Sequence, residues 1–464
     1  MNLLNLVLGK KNEEFSNSER LFVFASLFLF IFDLNKISYG TMEGGQSCWP
    51  HFPKCREWLP LLETLPSSYA HQFLFTVVFL FITLALISVL KNRRRPALIL
   101  LSLLTAFKFF YHFVWTYTGN HNFEYFHLVP TIAFLINSKA RVLGAQVAWV
   151  VLYFLAAFVK IDESWIVGSY FSTLELGLPL FPNSSIPFVT QGVLIAECFL
   201  SWGLLNKKFH RLSLIFWLIF HVYSVLLVGF FYPVRCVLFL IVLFWDLPTL
   251  DSFRSKLSTV TVSLLTLLIV MQVSWIGVPE NTRQTLRFEG YGFNMFDSNF
   301  QCISQIKTHA GNQQLVALEE YSQARFRCGP RMFLERYKRK CKKSNLDSME
   351  WRLWQSTNGN PFYEIVNTSN ACNLEFSLFG ENSWIDLKKN KIVGYPRKNS
   401  VDSESRHLSD GIPRIVYDTP EELLSPFQNI LLRYLNVFKM FYFTFWTALL
   451  GYFCWLFKKG TVAK

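Results

Sequence analysis

The apolar run YFLAAFV (153–159) delivers a single amine, Lys160, and is followed by Asp162 and Trp165. Other ionisable side chains stand in or beside similar stretches: Lys108 and His112, Glu124 and His127, Glu197, and His221. An ionisable group at bilayer depth is costly unless paired or hydrated, so each is a candidate for chemistry or for pairing between helices. Lys108 and His112 share one helical face and suit an interhelical contact. Glu197 and His221 fall at similar depth on consecutive antiparallel segments, the placement of an ion pair or a hydrogen bond. Glu124 and His127 occupy a short segment and are expected to touch its watery rim.

Lys160 has two readings. A lysine that closes a span can snorkel, with its stem in the apolar layer and its ammonium in water. A partly desolvated amine is instead pushed toward its neutral form, in which it serves as a general base. The stretch beyond it, IDESWIVGSYFSTLELGLPLFP, carries acids and aromatics but no further base. The motif NHNFEY (120–125) is expected at the same face. Lys160, His121 and Asn120 are therefore expected to converge on a pocket open to the membrane and to the outside, where a lipophilic reactant meets a soluble one.

The elements that must position these residues follow from composition. Of 464 residues, 52% are hydrophobic and 48 are phenylalanine, more than a water-soluble domain needs. Runs such as FLFTVVFLFITLALISVL (73–90) approach or reach the length of a bilayer span. The fold class expected is an α-helical multi-pass membrane protein with about nine or ten transmembrane segments and a small mostly-β extramembrane domain. The segments fall at 20–37, 70–90, 96–118, 122–137, 142–160, 187–205, 211–231, 234–250, 257–278 and 437–457. The first reads as a signal anchor, because Lys10, Lys11, Glu13 and Glu14 precede it and no processing site follows.

The formal charge of +13 is mostly orientation. Basic residues cluster at 10–11, 91–95, 139–141, 206–211, 254–256 and 458–459, at alternate ends of successive segments, as cytoplasmic loops do. Nucleic acid is excluded as a partner, since no groove-reading or base-stacking motif accompanies the charge. Both termini are then cytoplasmic. Loops 38–69, 119–121, 161–186 and 279–436 face the endoplasmic reticulum lumen or a bacterial periplasm. Cys48, Cys55, Cys302, Cys328, Cys341 and Cys372 all fall on that side, which predicts disulfides whose pairing the spacing leaves open. Cys198, Cys236 and Cys454 fall within apolar runs and read as small hydrophobes. The sequons NSS (183–185) and NTS (367–369) lie on the same outer side.

Three parts result: a multi-helix membrane domain (1–278), an extramembrane mostly-β domain (279–436), and a C-terminal helix with a basic tail (437–464). In the second, SMEWRLWQSTNGNPFYEIVN (348–367) predicts two strands about an Asn-Gly turn. CNLEFSLF (372–379) alternates as a further strand would, and RMFLERYKRKCKKSN (331–345) predicts a basic helix.

Taken in order, several of these motifs resemble the vitamin K-dependent gamma-glutamyl carboxylases and their wider superfamily of horizontally transferred transmembrane domains. YFLAAFVKIDESWIVG (153–168) is similar to the family's stretch around its catalytic lysine, with Lys160 at that position and Asp162, Trp165 and Gly168 after it. NHNF (120–123) looks like the Asn-His motif upstream, and FHVYS (220–224) like the later Phe-His segment. CREWLPLLETLP (55–66) and YGFNMF (291–296) match the cysteine-led loop and the tyrosine-glycine region. The resemblance covers roughly residues 15–385.

It implies that the lysine deprotonates vitamin K hydroquinone, that oxygen adds, and that the resulting alkoxide removes a γ-proton from a peptide glutamate. Carbon dioxide then traps the carbanion, giving γ-carboxyglutamate and quinone epoxide. On this resemblance Lys160, His121 and His221 are catalytic, and Asn120, Tyr153 and Trp165 bind the cofactor. Reduced vitamin K, O2 and CO2 are the small reactants, and a glutamate-containing secreted protein or peptide is the partner. The chain departs from the family at Val159, where the first of two adjacent lysines usually stands. No histidine lies between His221 and His309, and Glu280 and Asn281 occupy the neighbourhood of another family histidine. The outer portion is also much shorter than in the animal enzymes. Two other functions fit the same features: a quinol oxygenase that does not carboxylate, and a non-catalytic membrane factor for maturation or export of a secreted peptide. A transporter fits less well, without repeat halves or a broken helix pair.

Overall fold

The computed structural model describes residues 14–42, 67–110, 121–138, 140–168, 171, 178–245, 257–272, 300–310, 313–321, 328–357, 363–377, 380–386, 399–401, 415–417 and 424–462. They divide between two compact units. The first comprises Met1–Ala157, Ile195–Gln272 and Phe443–Lys464, and the second Phe158–Leu194 and Val273–Tyr442.

Over its described residues, each apolar segment of the sequence lies on a helix. In chain order these are α1 (Asn17–Met42), α2 (Ser67–Leu90), α3 (Arg94–Phe110), α4 (His121–Ile136), α5 (Arg141–Val159), α6 (Ile186–Gly203), α7 (His210–Val228), α8 (Phe231–Phe244) and α9 (Thr259–Gln272), with α12 (Leu435–Val462) at the end. Among the described residues, five stretches are long and apolar enough to cross a membrane: Gln72–Leu90, Arg141–Phe158, Ile186–Gly203, His210–Leu227 and Leu435–Trp455.

Local chemistry explains why these segments stay helical with little help from water. Thr76, Thr83 and Ser88 on α2 turn their hydroxyls back to the carbonyls of Gln72, Phe79 and Leu84, at 2.7, 2.9 and 2.7 Å. Such back-bonding hides a hydroxyl without a partner outside the helix. At the start of α1, Ser16 and Glu19 form a reciprocal capping pair, each side chain accepting the other's backbone N–H. Glu19 also meets Arg94 at 2.9 Å and Arg141 at 3.7 Å, so the ends of α1, α3 and α5 share one carboxylate.

Within the first unit α1 packs on α2, α4 and α8, while α4 also meets α3, α8 and α9. The polarity of α7 is reversed relative to a helix in water. His210, Ser213, Trp217, His221 and Ser224 are buried, and Leu212, Ile215, Ile219, Val222 and Leu226 are exposed. Ordinary amphipathic helices do the opposite.

In the second unit β1 (Phe300–Ala310), β2 (Gln313–Tyr321), β3 (Glu350–Thr357) and β4 (Tyr363–Thr368) form an antiparallel sheet of order β2-β1-β3-β4. The helix α10 (Pro330–Ser344) separates β2 from β3 in the chain, as the sequence predicts, and the pair β5 (Asn399–Val401) and β6 (Ile415–Tyr417) follows. The predicted hairpin is β3 with β4, and its Asn-Gly turn lies outside the described residues. Phe333, Tyr337, Cys302, Ile306 and Trp351 share one core, in which Ser304 Oγ contacts Tyr337 Oη at 2.6 Å and accepts from Trp351 Nε1 at 3.0 Å.

The expected strand at 372–379 is absent from its described part. Ala371–Asn373 form a 3-10 turn in which Asn370 accepts from the Cys372 N–H, and Lys338 donates to the Leu374 carbonyl at 2.8 Å. The edge of β4 is met by Ile385 instead. Side chains have taken the backbone groups that a neighbouring strand would need, so alternation alone does not produce a strand.

Two disulfides tie this unit, Cys302–Cys328 and Cys341–Cys372, with Cα atoms 5.5 and 5.8 Å apart. Cys48 and Cys55 lie outside the described residues, and Cys198, Cys236 and Cys454 are in no disulfide among the described residues. Loop-closure entropy assigns each bridge roughly 3.5 kcal/mol. Replacing Cys302 and Cys328 together by alanine is therefore expected to lower the urea midpoint for proteolysis within residues 300–386, leaving that of the helical unit unchanged.

Candidate functional site

The turn that carries Lys160 is built from local rules. α5 ends at Val159, Asp162 N donates to the Lys160 carbonyl at 2.9 Å, and the chain becomes extended at Asp162. The Asp162 carboxylate accepts from Ser164 N at 2.8 Å and Trp165 N at 3.3 Å, capping the one-turn helix Glu163–Ile166. This cap sets Trp165 with its ring centroid 5.4 Å from Lys160 Nζ, inside cation–π range. The spacing Lys-x-Asp-x-x-Trp thus encodes an amine, a cap and an aromatic wall. Phe171 packs on the same indole at 5.2 Å.

Neighbouring segments of the same unit hold the turn. Trp165 Nε1 donates to Thr190 O at 3.2 Å, Gln191 Nε2 to Ile166 O at 3.1 Å, and Gln428 Nε2 to Val167 O at 2.8 Å. Gln428 belongs to α11 (Pro426–Arg433), which packs on the Glu163–Ile166 turn. Gly168 has φ +82°, and a Cβ there would lie 2.5 Å from Ile186 Cγ2, so glycine alone lets the chain reach α6. Lys160 is 0% exposed and Trp165 3%. A snorkelling lysine keeps its ammonium in solvent; this one is enclosed.

Tyr153 and His221 come together in the first unit, on α5 and α7. Tyr153 Oη and His221 Nε2 are 2.5 Å apart. The Tyr153 ring stacks on Trp217 at 4.1 Å, and Tyr232 sets its ring edge against His221. Glu197, expected beside His221, is buried on a π-helical turn of α6, Ala196–Leu200, within electrostatic reach of both the Tyr153 and Tyr232 hydroxyls. Asn120 and His112 lie outside the described residues, and His121 opens α4.

The other ionisable residues assemble differently from expectation. Glu124 and His127 do not touch water; both are 0% exposed. Lys108 Nζ lies 2.5 Å from Glu124 Oε2 and 2.6 Å from His127 Nδ1, and Arg235 Nη1 lies 3.1 Å from Glu124 Oε1. Phe30 of α1 stands by, its ring 5.4 Å from the Lys108 amine and 4.7 Å from the His127 ring. Arg235 is the member sequence reading missed. Its position, second in a segment drawn from Val234, resembles a boundary charge, but α8 begins at Phe231 and carries Arg235 inward. A charge within one turn of an apolar segment's apparent edge was the available signal.

No protein-family model matches this chain, and neither a curated protein nor a solved structure does.

Enclosure of Lys160 has a direct readout. With amine-reactive ester on the folded, detergent-solubilised protein, Lys340 and Lys342, both exposed, are expected to be modified well before Lys160. Mass spectrometry of the digest would locate the label; equal modification of the three would mean the amine reaches water. Gly168→Ala is expected to destabilise the protein by more than about 1 kcal/mol, since strain and overlap add at that position. Its thermal unfolding midpoint checks this.

Proposed function

We propose that this chain is an integral membrane enzyme of the vitamin K-dependent gamma-glutamyl carboxylase type, with Lys160 as the base toward a reduced quinone. The observation that carries the proposal is the enclosed Lys160 amine against the Trp165 indole, at the position the motif resemblance singles out. Membrane embedding is supported by the reversed polarity of α7 and by helical hydroxyls bonded within their own helices. Disulfides in the second unit favour an oxidising compartment for it, the lumenal or periplasmic side, with both termini cytoplasmic.

The residues at the turn suit an aromatic diol. Trp165 and Phe171 offer ring faces and edges, and the Lys160 amine is the nearby proton-accepting group when neutral. A reduced quinone, with O2, supplies the strong base that allows CO2 to add at a peptide glutamate. Lys160 Nζ takes the proton from the ring hydroxyl. Trp165 holds the aromatic ring beside that amine, and the closed turn keeps water from the reaction. Tyr153 Oη shares a hydrogen bond with His221 Nε2, which holds that imidazole for its task as a hydrogen-bond partner. His121, with Asn120, orients a reactant or stabilises an oxyanion. The glutamate-containing peptide approaches from the outer side and the quinone from lipid.

The test uses purified protein in detergent with reduced vitamin K, a glutamate-containing peptide and labelled bicarbonate. Wild type is expected to form labelled peptide and quinone epoxide together. Lys160→Ala is expected to lower both by about 10²–10⁴-fold, the usual contribution of a general base. Epoxide without label would identify a quinol oxygenase instead. Neither product from folded protein would point to a non-catalytic role in maturing or exporting a secreted peptide.

A further inference from the structure

The buried ion cluster of the helical unit has no part in the chemistry above, yet α4 has a physical need for it. Pro130 stands inside α4. An interior proline removes one backbone donor and crowds the carbonyl a turn earlier, so the helix is weakest there. The polar contacts on the two sides of that proline involve different partners. Beyond it, Thr131 Oγ1 meets Ser26 of α1 at 3.5 Å, and Arg141 donates to the Phe134 and Leu135 carbonyls at 3.2 and 2.7 Å. Asn137, just past the helix, accepts from Ser258 N at 2.8 Å. Before it, Glu124 pairs with Lys108 of α3 and Arg235 of α8, His127 Nδ1 shares a hydrogen bond with the Lys108 amine, and Phe126 packs on Trp149 and Tyr153 of α5 and on Tyr232 of α8.

One carboxylate therefore joins three helices on the N-terminal side of the weak point. Glu124 shares the first turn of α4 with His121, and Asn120 immediately precedes that turn. A one-residue slip turns a helix by about 100°. Whatever fixes Glu124 in azimuth fixes the start of α4 as well.

We infer that Glu124 is a positioning residue: gripped by Lys108 and Arg235, it sets the first turn of α4, and with it the backbone of His121, independently of the helix beyond Pro130. This rests on the reading in which His121 serves the reaction. A cluster that merely stabilises the bundle would act on both sides of Pro130 alike.

Amide hydrogen exchange on the full chain in detergent distinguishes the two, read beside epoxide formation. The variants are Glu124→Gln and the pair Glu124→Gln with Lys108→Met, which removes one charge of each sign and so keeps the cluster's net charge if the single variant folds poorly. In both, amides of 121–129 are expected to exchange about 10-fold faster while those of 131–136 keep the wild-type rate. Quinol turnover is expected to lose about 10-fold in kcat at unchanged KM, the signature of a misplaced group rather than lost binding. Glu124→Asp, which keeps the charge on a shorter stem, is expected to recover part of both losses. The inference is overturned if 121–129 exchange as in wild type, if 131–136 accelerate equally, or if exchange accelerates while kcat stays unchanged. Should wild type form no product at all, the carboxylase reading fails, and the exchange pattern alone still decides whether Glu124 holds the first turn.

Discussion

The faces that the helical unit turns outward are apolar, and that single constraint organises what lies inside. α7 sends leucine, isoleucine and valine out and draws histidine, serine and tryptophan in. Polar atoms in such an interior must find partners within the protein, because neither water nor lipid supplies them from outside. His210 illustrates the result: its ring nitrogens lie 2.7 and 2.6 Å from the Leu204 and Phe244 carbonyls, groups at helix ends that the helices themselves leave unbonded. Gln146 donates likewise to the Leu243 carbonyl. The central helix that makes this possible is α5, of which 89% of the spanning window is buried. Its small residues admit close neighbours on one side, where a Cβ on Gly144 would lie 2.7 Å from Asn137 Cβ. Its large ones, Trp149 and Tyr153, reach Phe126, Phe239 and Trp217 on the others.

Charge is the severest case of the same constraint. Glu19 ties α1, α3 and α5 from a partly exposed position, where an ion pair gains little and loses little. Glu124 ties α3, α4 and α8 with no exposure at all. There the loss of one partner is worth about 3–5 kcal/mol, because the remaining charge is stranded, whereas a fully apolar replacement costs far less. Stability alone therefore gives little reason to place ions at that point. Geometry gives a better one, since a carboxylate held by two cations from two helices has far fewer acceptable orientations than a leucine in the same space.

Much of the helical architecture was legible because a lipid-compatible helix must be apolar along most of its length, and that signal survives without any neighbour. The basic helix α10 and the β3–β4 pairing were legible for a related reason: their periodicity matches their burial. Partners were less so. Spacing marked Lys108 for an interhelical contact, which it makes, but its partners Glu124 and His127 on the next helix were chosen by packing. The segment at 372–377 has a strand's alternation, yet Asn370, Lys338 and the Cys341–Cys372 bridge engage it first. Arg235 was hidden by a boundary drawn a few residues late. Disulfide pairing depends on which Cα atoms approach, which spacing does not contain.

The turn after α5 shows how an irregular stretch can be kept dry. Once the chain leaves the helix, its carbonyls lose their regular donors, and in an open loop water would take them. Here Gln191 serves Ile166 and Gln428 serves Val167, while Trp165 serves Thr190. Gln428 is used twice over. Its amide nitrogen holds Val167, and its oxygen accepts from Ser425 N in the capping box that starts α11. The orientation of that amide is thereby fixed from both ends, and a cap on one helix becomes a clamp on a distant loop. With its carbonyls so occupied, the turn has little need of water. That is the condition under which the amine of Lys160 can remain enclosed instead of pulling the loop open toward solvent.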